Sequence, residues 1–237
     1  MLGLMQDYPL LVHTILDHAA TNHGEREIVT RAVEGPIRRY TLADLRRRSL
    51  RVAKALQMEG IRLGDRVATM AWNTDRHVET WYGTMGLGAI CHTLNPRLFA
   101  EQLVYIINHA EDRLLFVDLT FLPLIQAIAD KLPTLEKIIV LTDEAHLPGE
   151  LSANVVAYET WLDQADEDFA WVRFDENTAA ALCYTSGTTG NPKGVLYSHR
   201  SNVLHGLMAN TPDVFALSST DAVLPIVPMF HANAWAI

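Results

Sequence analysis

Residues Tyr184 to Gly194 read Y-T-S-G-T-T-G-N-P-K-G, and their types suit a loop that holds a polyphosphate. Gly187, Gly190 and Gly194 let backbone N–H groups turn toward a common point, because glycine adopts conformations closed to other residues. Thr185, Ser186, Thr188 and Thr189 add neutral hydroxyl donors, and Lys193 adds one ammonium. The loop follows the apolar run Thr178–Cys183 and precedes Val195-Leu196-Tyr197, so it is expected to join two strands. Taken alone, a Gly/Thr-rich loop of this kind is more often an ordinary turn than a binding site.

The order of residues speaks against one phosphate-binding class. A Walker loop needs Gly directly before the Lys and a hydroxyl residue directly after it, whereas here Pro192 precedes Lys193 and Gly194 follows. A Walker loop also opens a helix whose N-terminus faces the phosphate, and V-L-Y after Pro192 favours a strand. A nucleoside triphosphatase of that type remains as a rival reading, with phosphate release in the absence of a carboxylate as its signature.

The elements that would position this loop can be read in order. Leu11, Ile15, Leu16 and Ala19 have helical spacing within 10–22. Segments 27–33 and 37–41 read as a hairpin turned by Glu34-Gly35-Pro36. Thr41 with Asp44 resembles a capping box that opens a helix ended by Gly60. On that helix Arg46, Arg47, Arg48, Arg51 and Lys54 are expected to form a solvated face rather than a binding patch. Strands are expected at 67–72, 89–94, 114–118, 137–141 and near Val155-Val156, with helices at 76–87, 100–110 and 121–131. Such alternation predicts an α/β fold with a mostly parallel sheet flanked by helices. Residues 143–176 carry ten acids and one base, Arg173, and read as a solvated connection to the next sheet segment rather than an acidic docking surface.

Composition narrows the partners. The chain has 237 residues, 49% of them hydrophobic, enough for a real core. Nineteen basic against 28 acidic residues give a formal net charge of -9, which argues against general affinity for nucleic acid or anionic lipid and favours a small-molecule partner. Cys91 and Cys183 show neither disulfide nor metal spacing and read as core residues in a reducing, cytoplasmic setting. No signal-peptide pattern and no apolar stretch of spanning length is present, so no transmembrane segment is expected.

The full string Y-T-S-G-T-T-G-N-P-K-G-V resembles the phosphate-loop signature of adenylate-forming enzymes, the superfamily of acyl-CoA synthetases, beetle luciferases and peptide-synthetase adenylation domains. Pro228-Met229-Phe230-His231-Ala232-Asn233-Ala234-Trp235 is similar to that family's P-x-F-H segment, in the F-H-x-N-A-W form associated with medium- and long-chain fatty acyl-CoA synthetases. His199 in Y-S-H-R, Asn95-Pro96-Arg97 and the helix start Tyr40-Thr41-Leu42-Ala43-Asp44-Leu45 also fit, so the resemblance spans essentially the whole chain.

The resemblance implies an ATP-dependent fatty acid–CoA ligase: carboxylate and ATP give an acyl-adenylate and pyrophosphate, and coenzyme A then displaces AMP. It implies that Thr185, Ser186, Gly187, Thr188, Thr189, Gly190 and Lys193 bind ATP, with Thr185 also a ligand to Mg2+. His231 is implied as a catalytic residue between nucleotide and acyl group, and His231, Asn233 and Trp235 as contacts to the substrate. Read from its neighbours alone, His231 is more readily a core residue beside Phe230 and Trp235, and only the motif reverses that preference. The family's T-G-D segment, hinge and C-terminal catalytic Lys are not found, which implies that residues 1–237 are the first part of the large N-terminal domain and are inactive alone. Other acids, aryl ones included, and a non-catalytic nucleotide-binding fragment remain alternatives. A homodimer and membrane-peripheral association of the longer protein are compatible with the resemblance.

Overall fold

A computed structural model of the chain describes residues 1, 3–149, 151–152, 154–185 and 191–231. Its seven-stranded sheet has the order β7-β6-β5-β3-β4-β8-β9, and a separate hairpin pairs β1 with β2. The strands are β1 (Glu27–Arg31), β2 (Ile37–Thr41), β3 (Arg66–Met70), β4 (Ile90–Thr93), β5 (Leu114–Val117), β6 (Lys137–Val140), β7 (Val155–Ala157), β8 (Ala179–Thr185) and β9 (Lys193–Ser198). The helices are α1 (His13–His23), α2 (Leu42–Met58), α3 (Asp75–Leu87), α4 (Ala100–Ala110), α5 (Leu122–Gln126), α6 (Tyr158–Leu162) and α7 (His199–Ala209).

β3 to β8 pair in parallel, and only β9 joins antiparallel, along β8. Four-residue strands such as Leu114–Val117 are buried throughout, as a sheet covered on both faces requires. Alternate residues serve opposite layers. Val67, Ala71, Leu114, Phe116, Ile139 and Leu141 pack with α2 and α6, whereas Ala68, Met70, Leu115, Val117, Ile138 and Val140 pack with α4 and α5. A third cluster joins Trp81 and Met85 of α3 to Cys91, Ala181 and Val203 of α7.

The helix boundaries have local causes. The Thr41 side chain accepts from the Asp44 N–H while Asp44 accepts from the Thr41 N–H, the capping box expected from sequence. After α2 the chain turns at Gly60, with φ 76°, and α3 stops at Gly88, with φ 90°. The helix expected over 121–131 is shorter: α5 ends at Gln126 and a 3-10 turn follows at Ala129–Lys131.

Two expectations require correction. The arginines of α2 form a solvated face only in part, at the exposed Arg47 and at Arg46. Arg48 reaches inward to the fully buried Glu79 (2.7 Å) and to Glu159 (2.9 Å), and Arg51 pairs with Asp163 (2.9 Å) while donating to the carbonyls of Leu162 and Ala165. Nor is the acidic stretch simply a solvated connection, because it contains α6, whose Tyr158, Trp161 and Leu162 are core residues, and its Glu159 also binds Arg76 (2.8 Å). The acids there answer the arginines of α2 and α3 across the sheet's helical layer. Cys91 and Cys183 are buried free thiols, as expected.

Candidate functional site

The apolar run before the loop forms β8, and the residues after it form β9, so the strand–loop–strand reading holds. Cα pairing sets Thr185 opposite Lys193 and Tyr184 opposite Gly194. Both Thr185 and Lys193 are exposed, and among the described residues Lys193 forms no ion pair. A hydroxyl and an ammonium are thereby held side by side at the carboxyl end of β8 by a backbone ladder. Ser186, Gly187, Thr188, Thr189 and Gly190 lie outside the described residues.

The base of the loop is held by aromatic and polar contacts. The side chain of Tyr184 reaches His109 near the end of α4, with its hydroxyl 2.7 Å from Nδ1, and its ring lies 5.2 Å from that of His92. Burial pushes the Tyr184 phenol up to about 12, so it is a neutral hydroxyl at ordinary pH. His92 in turn meets Asp112 at 2.7 Å, with both side chains fully buried. Gly194 leaves no room for more: a Cβ there would stand 3.2 Å from the Tyr184 ring and 3.2 Å from Leu182.

The second sequence motif is brought to the same edge of the sheet. Asn73, just after β3, donates through Nδ2 to the carbonyls of Pro225 and Val227 (2.9 Å each) and accepts the Met229 N–H at Oδ1 (2.8 Å). One carboxamide therefore satisfies three backbone groups of a segment that has no regular structure of its own. Phe230 is buried against Trp72, with ring centroids 6.4 Å apart, while its carbonyl lies 3.5 Å from the Thr93 hydroxyl at the end of β4. His231 is exposed and donates its backbone N–H to Pro228 (2.9 Å). The reading of His231 as a core histidine is thus overturned. Asn233 and Trp235 lie outside the described residues.

The topology of the sheet makes this edge a switch point. β3, β4 and β8 are neighbours, and the chain leaves β3 into α3 on one face of the sheet but leaves β4 into α4 on the other. Connections that part to opposite faces open a cleft beyond the strand ends, the place where open α/β sheets bind ligands. Thr185, Lys193, Thr93 and the segment carrying His231 all stand around it. Among the described residues no hydrogen bond links His231 to Thr185 or Lys193.

His199 is not part of this cleft. It is fully buried, its Nδ1 accepts the Val12 N–H (3.1 Å), and its ring meets Phe174 edge-on at 4.9 Å. Asn73, His109 and the His92–Asp112 pair were missed in the sequence, and Tyr184, although part of the motif, was given no role of its own. A polar Asn directly after an apolar strand run was the one local signal for Asn73; the others meet only through tertiary packing.

An apolar cavity of about 610 Å3 lies elsewhere, between α1, α3 and α7, lined by Val12, Ile15, Trp81, Met85, Val203 and Leu207 among others. None of the described loop residues lines it. Among the described residues no helix is long and apolar enough to cross a membrane.

Comparison with known proteins matches residues 16–237 to the family described as AMP-binding enzyme. The 3-methylmercaptopropionyl-CoA ligase of Ruegeria lacuscaerulensis is 49% identical over 235 residues, covering 99% of this chain and 44% of that protein. The medium-chain-fatty-acid–CoA ligase of Ectopseudomonas oleovorans is 46% identical over 235 residues, covering 99% of this chain and 43% of that protein. Among solved structures, a long-chain-fatty-acid–CoA ligase from Archaeoglobus fulgidus superposes with a TM-score of 0.81 at 24% identity, covering 100% of this chain and 46% of that one. The chain therefore spans less than half the length of each of these three proteins.

Proposed function

The chain belongs to the AMP-binding enzyme family, and on that premise we propose that it is the first part of the large N-terminal domain of an ATP-dependent acid–thiol ligase acting on an aliphatic carboxylic acid. The observation that carries the proposal is the Thr185–Lys193 pairing at the carboxyl edge of the sheet, beside the Asn73-held segment that bears His231. Exposed donors with no competing ion pair suit an anionic ligand.

In the proposed reaction a carboxylate oxygen attacks the α-phosphorus of ATP and the bond to pyrophosphate breaks, giving an acyl-adenylate. The sulfur of coenzyme A then attacks the acyl carbon, and AMP leaves. Charge gathers on phosphate oxygens in the first step, so preorganised donors contribute most of the stabilisation. Lys193 and the hydroxyls of Thr185, Ser186, Thr188 and Thr189 would hold the β- and γ-phosphates. Thr185 would be the ligand to Mg2+, whose chemistry there is neutralisation of phosphate charge. His231 would stand between nucleotide and acyl group, with Asn233 and Trp235 toward the acyl chain.

The aliphatic class rests on the F-H-x-N-A-W segment and on relatives named for a thioether propionate and for a medium-chain fatty acid. Carboxylate-dependent ATP–pyrophosphate exchange by the longer protein, screened over aliphatic and aryl acids, tests the reading. Exchange with aliphatic acids supports it; exchange confined to aryl acids, or phosphate release with no acid present, overturns it. We propose further that residues 1–237 alone form no acyl-CoA, which thioester formation by that polypeptide would refute.

A further inference from the structure

We propose that Glu34, Asp143 and His146 form a site for one divalent transition-metal ion of the zinc class, bridging the β1–β2 turn to the connection after β6. One ligand atom from each lies within 4.8 Å of the others. The turn at Glu34 is closed by the Gly35 N–H donating to Ala32 and the Ala32 N–H donating to Pro36. Asp143 caps a single 3-10 turn, and its carboxylate lies 2.6 Å from His146 Nδ1. Two hydrogen-bonded turns, far apart in sequence, therefore carry the three side chains.

A second, independent observation concerns Glu34. Its side chain is only 4% exposed, one oxygen binds Arg76 (2.7 Å), and Oε2 is buried with no hydrogen-bond partner. A buried carboxylate oxygen without a partner is costly unless a cation or water answers it. Charge points to a cation. Arg38, Arg48 and Arg76 are the guanidinium groups of this connected network, and they face the carboxylates of Glu34, Asp75, Glu79, Glu159 and Asp143. Carboxylates therefore outnumber guanidinium groups around the site.

The donor set selects the kind of metal. One imidazole nitrogen with two carboxylate oxygens suits Zn2+ or its first-row neighbours, whereas Mg2+ and Ca2+ favour all-oxygen shells. His146 is about half exposed, so water completes the coordination. The site follows β6, two strand steps from β3 and four from β8, about 10 and 19 Å at the usual strand spacing. It is therefore separate from the proposed nucleotide cleft and does not depend on the assignment made there. A metal held here would clamp the two-stranded hairpin to the main sheet.

The test is titration of the chelator-treated 237-residue chain with Zn2+ by calorimetry and with Co2+ by visible absorption, in excess Mg2+. One equivalent is expected to bind, weakened at least about tenfold by H146A and by D143N, and Zn2+ is expected to raise Tm in the parent chain but not in H146A. His146 is exposed, so H146A leaves the fold intact even if E34Q, at a buried position, does not. Absence of stoichiometric binding, or binding left unchanged by H146A, overturns the proposal.

Discussion

The backbone N–H of Val12 donates to Nδ1 of His199 (3.1 Å), joining the start of α1 to the start of α7 across 187 positions of sequence. The bond requires the neutral tautomer with its proton on Nε2, and burial pulls the His199 pKa down to about 3. Replacing His199 by Ala removes the acceptor and leaves the Val12 N–H buried, a loss of about 1–3 kcal/mol at pH 7. The difference should shrink on acidification. Below the unfolded value of 6.5 the unfolded chain binds a proton that the folded one refuses, so the parent loses stability as pH falls from about 6.5 toward 3, by up to about 1.4 kcal/mol per pH unit for this group. Urea melts of both chains at pH 7.5 and 5.5 measure this, and a constant difference between them would count against it.

Asp118 provides the opposite pH signature. Its Oδ2 accepts the Trp72 N–H (2.6 Å), and burial raises its pKa from 3.8 to about 7. The folded state therefore holds a proton that the unfolded state has released between those values. The stabilisation is complete below 3.8 and is lost as pH rises through 7. Relative to Asp118→Asn, which keeps an acceptor but does not titrate, the parent should weaken between pH 5 and 7.5. Parallel pH dependences would refute the assignment.

Arg48 and Glu79 are set to be strongly coupled. Burial is the largest influence on Glu79 and pushes its carboxyl up, while Arg48 at 2.7 Å and the Tyr158 hydroxyl at 2.7 Å oppose that shift. Arg48→Met should cost about 3–5 kcal/mol, because it strands a buried carboxylate. Arg48→Met with Glu79→Gln should be less destabilised than Arg48→Met alone, and denaturant melts of the four chains in that cycle decide it.

Gly86 is a packing requirement. A Cβ there would lie 2.2 Å from the ring of Trp171, which is fixed by a hydrogen bond to Asp17 (2.9 Å) and by stacking on His13 at 5.2 Å. Gly86→Ala gains about 1 kcal/mol of helix propensity but must displace that ring, at about 1–3 kcal/mol. A lower Tm with red-shifted tryptophan emission is expected; a higher Tm with unchanged emission would exclude the clash.

At the cleft, Lys193→Ala in the longer protein should lower kcat/KM for ATP on the order of 100-fold, with Lys193→Arg recovering part of it. Tyr184→Phe removes only the contact to His109, so it should raise KM for ATP while the acid preference stays unchanged. Steady-state exchange rates at varied ATP and acid separate the two effects.

The parallel core and the strand–loop–strand frame were readable because Val67, Leu114 and Ile139 sit in short apolar runs separated by helical periods, a pattern that backbone geometry imposes locally. A strand after the loop was readable from the β-type run Val195-Leu196-Tyr197, but its antiparallel direction was not. Arg48 was misread as solvated because helical spacing puts it among other arginines, and only the approach of α3 and α6 supplies Glu79 and Glu159. The triple grip of Asn73 likewise joins residues more than 150 positions apart, and no spacing rule announces it.

The parallel pairing of Cys91 with Ala181 carries a consequence for how the cleft is built. These partners are 90 residues apart, and β5, β6 and β7 lie between them in sequence but on the other side of β3 in the sheet. The β8–β9 hairpin is local and can close early, but its seat beside β4 depends on the slowest, most entropically demanding closure in the sheet. Seating of the Thr185–Lys193 pair beside β4 should therefore lag behind pairing of β3 with β4 and β5 during refolding.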